Sequence, residues 1–204
     1  MTSRGEPLAY KKRTPFAWVS WLELNPPERG SEMSETLTEV QEKTVDAYGL
    51  EMLKNGVRRG SKTNPKHARN AVEVFYKKYL ELPLPENIVY VDSPEAAIKI
   101  VSKSTGKAPK DLVSEVQFIN FWTWWVAYYH AGIHILKEDS GVEPELISDL
   151  DEYEKIIQEI HAVLPCEKVC FVIEYPKAIH LQDNDLEKFK LHKDGGLALE
   201  YQDG

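Results

Sequence analysis

Two histidines one helical turn apart are the first residues of this chain whose spacing could support chemistry. His130 and His134 would project from one face of a helix, where two imidazoles can share a divalent metal. The intervening positions lack the glutamate of an H-E-x-x-H zinc site, so further ligands would have to come from another element. His180, in a predicted β segment, is the candidate third ligand, with His192 on a neighbouring segment. The alternative interpretation needs no cofactor and takes these histidines as core or interface residues.

A second candidate site is the sequence Asp92-Ser93-Pro94-Glu95, which follows a strand-like run at 88–91. Free N–H groups at the start of a helix favour anions, so Asp92 and Ser93 predict a place for a phosphate or carboxylate. No glycine-rich loop precedes them, which argues against a P-loop. Helix capping by Asp92 or Ser93 explains the same residues without a ligand.

Cys166 and Cys170 are the only cysteines, spaced C-x3-C. On a single strand they would lie about 13 Å apart on one face, beyond the reach of a disulfide. A zinc site would need two more ligands, and none stands close by in sequence. They are interpreted as buried thiols of a protein in a reducing, intracellular compartment. The first 15 residues, which lack the apolar region of a secretory signal, agree with this.

The elements that would hold these groups are predominantly helical in the first two thirds of the chain. Apolar residues recur at helical spacing from Ser31 to a stop at Gly56. A second helix follows Asn64 and Pro65, which suit a cap and a first turn, and runs to about Leu82. After the strand at 88–91, further helices are predicted at 95–104, 110–136 and 146–164.

The last third of the chain reads as β structure. Strands are predicted at 169–175, 178–181, 188–192 and 197–201. Asp194-Gly195-Gly196 predicts a hairpin between the last two, because these residues accept positive φ. The predicted fold is α+β, with a mainly helical N-terminal two-thirds around a buried aromatic helix and a C-terminal antiparallel sheet. It forms a single domain at 31–204, preceded by an arm at 1–30.

The aromatic helix is centred on FINFWTWWVAYYHAGIHIL at 118–136, which has 19 residues without a formal charge. That length would just cross a bilayer, but Asn120, Thr123 and the two histidines are polar. Its aromatic residues crowd the middle and leave the two interfaces bare. A helix that is apolar all round is also typical of a buried central helix. The segment is therefore predicted to form the core, with no membrane span.

Two segments resemble a known domain family. YVDSPEAAIKI at 90–100 is similar to a motif reading V-W-V-D-S-P-x-x-A. IEYPKAIHLQDNDLEKFKLHKDGGLALEYQDG at 173–204 resembles a tail reading R-P-x-x-I-H-x-D-x-x-G-R-L-H-x-x-D-G-P-A-x-x-Y-x-D-G. Together they resemble a family of bacterial and plant domains of unknown function, over about residues 40–204. Tyr175, Phe189-Lys190 and Leu197 depart from the family's arginine, Gly-Arg and proline. The resemblance implies the same layout and no particular activity.

The arm at 1–30 combines four prolines with aromatic and basic side chains. The residues that could hold a partner are Phe16, Trp18, Trp21, Lys11, Lys12 and Arg13. Residues 1–80 carry 14 Lys and Arg against 10 Asp and Glu, whereas residues 81–204 carry 11 against 23. This basic front could meet an acidic surface, its own or a partner's, or could form ordinary solvated faces. The net charge of −8 argues against a general affinity for nucleic acid.

No catalytic set stands out in the sequence. A G-x-S-x-G elbow is missing, and neither cysteine has an adjacent base. We therefore expect a non-catalytic protein-interaction module, an accessory or assembly subunit of a larger complex that binds protein partners through the arm. The alternative is a small metal-dependent enzyme built on His130, His134 and a β-sheet histidine.

Overall fold

The computed structural model of this chain describes residues 38–119, 123, 126, 144–184 and 191–204. The predictions for the arm at 1–30 lie outside these residues, as do those for the aromatic segment apart from 118, 119, 123 and 126. Within the described residues the fold is α+β, as predicted. Its helices are α1 (Glu39–Gly56), α2 (Pro65–Val74), α3 (Pro94–Thr105), α4 (Pro109–Leu112) and α5 (Pro144–Glu159). Its strands are β1 (Asn87–Val91), β2 (Gln117–Phe118), β3 (Ala162–Pro165), β4 (Val169–Ile173), β5 (Ala178–Ile179) and β6 (Leu199–Glu200).

Four strands form a mixed sheet in the order β1-β4-β3-β2. β3 pairs antiparallel with both β4 and β2, whereas β1, from the middle of the chain, pairs parallel with β4. β5 and β6 form a separate two-stranded antiparallel sheet. The prediction of antiparallel pairing near the C-terminus is thus confirmed for β5–β6. The main sheet also contains β1, from the middle of the chain, and the unpredicted strand β3.

Helices cover both faces of the main sheet. Successive side chains of β4 point in opposite directions, so β4 contributes residues to the core on each face. Cys170 and Val172 lie in a core that contains buried residues of α2 and α5. Phe171 and Ile173 lie in a second core that contains buried residues of α3. A strand buried on both faces reads as a continuous apolar run, which explains why VCFVI could be assigned from sequence.

Local signals placed the helix ends well. Asn64 accepts N–H bonds of 3.0 and 3.4 Å from two residues of the first turn of α2. At α3 the sequence left Asp92 and Ser93 as alternative caps, and the structure selects Ser93, which accepts the Ala96 N–H at 3.1 Å. Gly106 ends α3 at φ 77°, a left-handed conformation that favours glycine.

Two helix predictions were wrong in part. The helix predicted to reach Leu164 ends at Glu159, and Ala162–Pro165 is a strand whose four residues are fully buried between β4 and β2. Pairing on both sides there outweighs the helical periodicity that precedes it. The helix predicted from Lys110 is instead the short α4, a 3-10 turn at Val113–Glu115 and β2. Beyond it, Thr123 and Val126 are helical and buried. Among the described residues, no helix has the length and apolar character needed to cross a bilayer.

The predicted C-terminal hairpin was also wrong. In the described residues, 199–200 pairs with 178–179, and Leu191 forms an isolated antiparallel bridge with Leu181, two residues after β5. The loop at 192–198 therefore connects two partners of the same segment: Leu191 and residues 199–200 both pair antiparallel with 178–181. The Asp-Gly-Gly turn itself is present, with Gly195 at φ 65°. Turn chemistry identified the turn, but not the strands on either side of it.

Tyr76 connects α2 to the β3–β4 hairpin. α2 continues into a π-helical turn at Phe75–Tyr79, and Tyr76 is fully buried there. Its hydroxyl donates to the Cys166 carbonyl oxygen at 2.9 Å and accepts the Cys166 N–H at 3.1 Å. The hydroxyl is thus a donor to the buried Cys166 carbonyl and a second acceptor, beside the Val169 carbonyl, for the Cys166 N–H.

We predict that Tyr76→Phe lowers the free energy of unfolding by about 1–3 kcal/mol, because it removes the hydroxyl that donates to the buried Cys166 carbonyl and leaves the Cys166 N–H with the Val169 carbonyl as its acceptor. Tyr90→Phe is the matched control: its hydroxyl donates to the Pro65 carbonyl at 3.1 Å on the exposed surface, and its loss should change stability by no more than about 0.5 kcal/mol. Urea denaturation of both variants measures the difference. Equal effects of the two substitutions would contradict the role given to Tyr76.

Candidate functional site

Two side chains singled out in the sequence, His180 and Ser93, contact one C-terminal segment, residues 199–203, which we name the C-terminal strap. Its backbone is held by β5: the Lys177 N–H donates to the Glu200 carbonyl at 2.7 Å. Just before the strap, the His180 N–H donates to the Ala198 carbonyl at 2.8 Å. Because side chains alternate along a strand, successive residues of the strap meet different parts of the molecule.

Glu200 is the first side chain held in this way. Its Oε1 contacts His180 Nε2 at 2.8 Å and also accepts a hydrogen bond from the Lys193 ammonium. The Lys193 ammonium and then the His180 imidazole hold the pKa of Glu200 below its usual range. His180 and Glu200 thus form a hydrogen-bonded pair in which each side chain is about one third exposed. This contact orients the imidazole ring. It uses Nε2, so Nδ1 is the ring nitrogen that Glu200 does not contact.

His192 lies next to His180, as expected for neighbouring β segments. Its N–H donates to the His180 carbonyl at 3.0 Å, and its ring contacts Asp194 at 2.9 Å. Even so, in the described part of the chain no three His, Cys, Asp or Glu side chains are grouped to hold a metal ion. His130 and His134 lie outside the described residues, so the predicted set with His180 stays a prediction.

Tyr201 reaches a buried histidine. His161 is fully buried, and its Nε2 lies 2.9 Å from the Tyr201 hydroxyl. Its ring centroid lies 5.8 to 5.9 Å from those of Phe118, Tyr175 and Tyr201. Burial lowers the pKa of His161 to about 3, so the imidazole is neutral at physiological pH. A neutral, enclosed imidazole suits a structural hydrogen bond better than proton exchange with a substrate.

Asp203 joins the strap to the helix start that the sequence proposed as an anion site. The buried Ser93 hydroxyl donates to Asp203 Oδ2 at 2.6 Å while it caps α3. The chain thus places its own carboxylate beside the N-terminus of this helix, where the dipole favours negative charge. Asp92 is exposed and contacts Lys62 at 3.4 Å. Binding of an external anion at Asp92 and Ser93 stays a prediction.

The two cysteines do not share a strand. Cys166 follows β3 and donates its N–H to the Val169 carbonyl at 3.0 Å, whereas Cys170 lies in β4. In this register they fall on opposite faces of the sheet, in separate cores, and both thiols are free. Burial raises the pKa of Cys166 to about 11 and also raises that of Cys170. Neither is a thiolate nucleophile at neutral pH.

Sequence reasoning missed a buried carboxylate. Glu174 directly follows β4 and is 8% exposed; its Oε2 accepts the N–H of Thr63 at 2.8 Å. This bond fixes the loop before α2 over the end of the sheet. A lone acidic residue after an apolar strand was the available signal. His161 carried none, because it was placed inside a predicted helix, whereas Tyr201 and Asp203 belong to the Y-x-D-G motif.

No family model, curated protein or solved structure matches this chain. The family resemblance therefore rests on its motif residues. The V-D-S-P and Y-x-D-G motifs, over 100 residues apart, meet through the Ser93–Asp203 hydrogen bond. The arm residues proposed to hold a partner lie outside the described part of the chain.

We predict that His161 makes the protein less stable as the pH falls. Its pKa is about 3 in the folded chain and about 6.5 when unfolded, so the unfolded chain binds the extra proton between these values. Stability is present above the unfolded pKa and is lost as pH falls toward the folded one. Between about pH 7 and about pH 4.5, wild type should lose roughly 2–3 kcal/mol more than His161→Phe. Urea denaturation across this range measures the slope.

Tyr201→Phe is the control for that experiment. It removes the hydroxyl beside His161 Nε2 but leaves the imidazole buried, so it should lower stability while retaining the pH slope. A slope that persists in His161→Phe would show that other groups cause the pH dependence.

We further predict that Ser93 and Asp203 are energetically coupled. Ser93→Ala should lower stability by about 1–2 kcal/mol, since it removes a cap and the partner of Asp203. Asp203→Ala should have a smaller effect. A double-mutant cycle should give a coupling of about 0.5–1.5 kcal/mol. Additive effects in the cycle would mean that the 2.6 Å contact contributes nothing to stability.

Proposed function

We propose that this chain is a non-catalytic protein-interaction module, an accessory or assembly subunit of a larger complex whose partner contacts the N-terminal arm. The observation that carries the proposal is the engagement of reactive groups inside the described body. His161, Cys166 and Cys170 have no exposed surface, and Ser93 is 3% exposed. Because these side chains are buried and cannot reach a substrate, they support a non-catalytic role for the described body.

The ionisation of these groups supports the same proposal. The pKa of the Cys166 thiol lies near 11 and that of His161 near 3, both because of burial. At neutral pH the thiol keeps its proton and the imidazole does not gain one. General acid–base or nucleophilic catalysis needs a group that titrates near the working pH and can reach a substrate. His161 and the two thiols do not meet both conditions.

Three basic residues of the described front, Arg58, Arg59 and Lys62, contact the chain's own body. Arg58 donates to the Gln158 carbonyl at 3.0 Å and lies 4.9 Å from the centre of the Tyr175 ring. Arg59 donates to the Ile179 carbonyl at 3.4 Å, and Lys62 contacts Asp92. These three cations make internal contacts, and the proposal therefore assigns the partner surface to the basic and aromatic residues of the arm.

We predict that deletion of residues 1–30 abolishes partner capture and leaves the body folded. The native complex would first be isolated from the source organism with its partners identified. Capture of those partners by full-length and truncated protein would then be compared, with circular dichroism and Tm as folding controls. Replacing Phe16, Trp18 and Trp21 by alanine in the full chain should weaken binding at least about tenfold for each anchor.

Replacing Lys11, Lys12 and Arg13 by glutamine is the matched control, which should weaken binding mainly at low salt. Unchanged capture after deletion of the arm would contradict the proposal. A monomer isolated with stoichiometric metal would favour the metal-dependent enzyme instead.

A further inference from the structure

Among the residues that the structure describes, β1 is an outer strand of the main sheet, with no strand beyond it. In its parallel pairing with β4, the Asn87 N–H donates to the Lys168 carbonyl at 3.2 Å and the Val91 carbonyl accepts the Glu174 N–H at 2.9 Å. Because backbone groups alternate in direction along a strand, Asn87, Val89 and Val91 face β4. The N–H and C=O groups of Ile88 and Tyr90 therefore face outward, and in the described residues no backbone hydrogen bond engages them.

Solvent reaches β1 as far as Tyr90, whereas Val91 at its end is buried. Val89, in the middle of the strand, is 37% exposed, which is high for a large apolar residue in a sheet. Asn87 is exposed, and Ile88 and Tyr90 are half-buried. A row of unpaired backbone donors and acceptors beside an exposed valine is a template for an added strand.

The charges at the two ends of the strand indicate what could be added. Glu86 precedes β1 and Asp92 follows it, and both are exposed. In a two-fold antiparallel pairing of two copies through Ile88 and Tyr90, Glu86 of each copy would face Asp92 of the other. Like charges directly opposite each other destabilise a strand pair. The same acids would attract lysine or arginine at those two positions of a different strand.

We propose that the outer edge of β1 binds an extended segment of a partner protein, with an apolar residue opposite Val89 and basic residues three positions to either side. The segment lies antiparallel to β1. The residues next to its central apolar residue exchange hydrogen bonds with Ile88 and Tyr90, and its basic ends face Glu86 and Asp92. Lys62 already contacts Asp92 at 3.4 Å, so Glu86 contributes more of the charge selectivity. This surface is separate from the arm of the proposed function.

The test is an NMR titration of the isotope-labelled full chain with blocked heptapeptides. The first has lysine at both ends, valine in the centre and threonines between. It should shift the Ile88 and Tyr90 amides most and slow their hydrogen exchange. N-methylation of the two threonines beside the valine removes the donors to β1 and should weaken binding about tenfold. N-methylation of the valine is the matched control, because that N–H points away from β1.

Charge selectivity is measured with a peptide that has glutamate at both ends. It should bind at least about threefold more weakly than the lysine peptide, and Glu86→Lys should reduce or reverse this preference. Glu86 is exposed, so this substitution leaves the fold intact. Alanine at Phe16, Trp18 and Trp21 should leave the titration unchanged, which separates failure of this edge from failure of the arm.

Three outcomes would overturn the proposal. Equal binding of the peptide N-methylated on both threonines would show attraction by charge without strand addition. The lack of any shift at Ile88 and Tyr90 at millimolar peptide would mean that the edge does not accept a strand. Concentration-dependent self-association through Ile88 and Tyr90 without peptide would assign the edge to a second copy of this chain.

Discussion

The β3–β4 hairpin is the constraint on which the rest of the molecule depends. Its strands are buried on both faces, and they hold β2 on one side and β1 on the other. A shift of one residue in their register would exchange the faces of Cys170 and Phe171 and disrupt both helical layers at once. The Tyr76 hydroxyl, bonded to the backbone of Cys166, fixes the end of this hairpin against α2.

Features governed by neighbouring residues could be predicted from the sequence. The cap at Asn64, the strand at β1 and the glycine stop at Gly106 all follow from residues within a few positions of each other. The strand at Ala162–Pro165 could not, because a short apolar run after a helix is compatible with either structure. Its conformation is decided by β4 and β2, and the parallel partner of β1 likewise lies some 80 residues away.

The candidate site also combines features that the local sequence predicts with features that depend on distant residues. The motifs containing Ser93 and Asp203 identified the residues, but only the fold brings these two side chains together. Burial decides the chemistry of His161, and burial cannot be read from a histidine placed inside a predicted helix. His180 was proposed as a metal ligand from its type and place in the chain, whereas its contact with Glu200 depends on the pairing of β5 with β6.

The placement of the two thiols on opposite faces of one hairpin makes the chain its own reporter of breathing motions. A thiol reagent reaches Cys170 when the layer of α2 and α5 lifts from the sheet, and reaches Cys166 when the layer of α3 lifts. Equal labelling rates would mean that both layers detach in one cooperative event. Unequal rates would reveal which half of the molecule opens first.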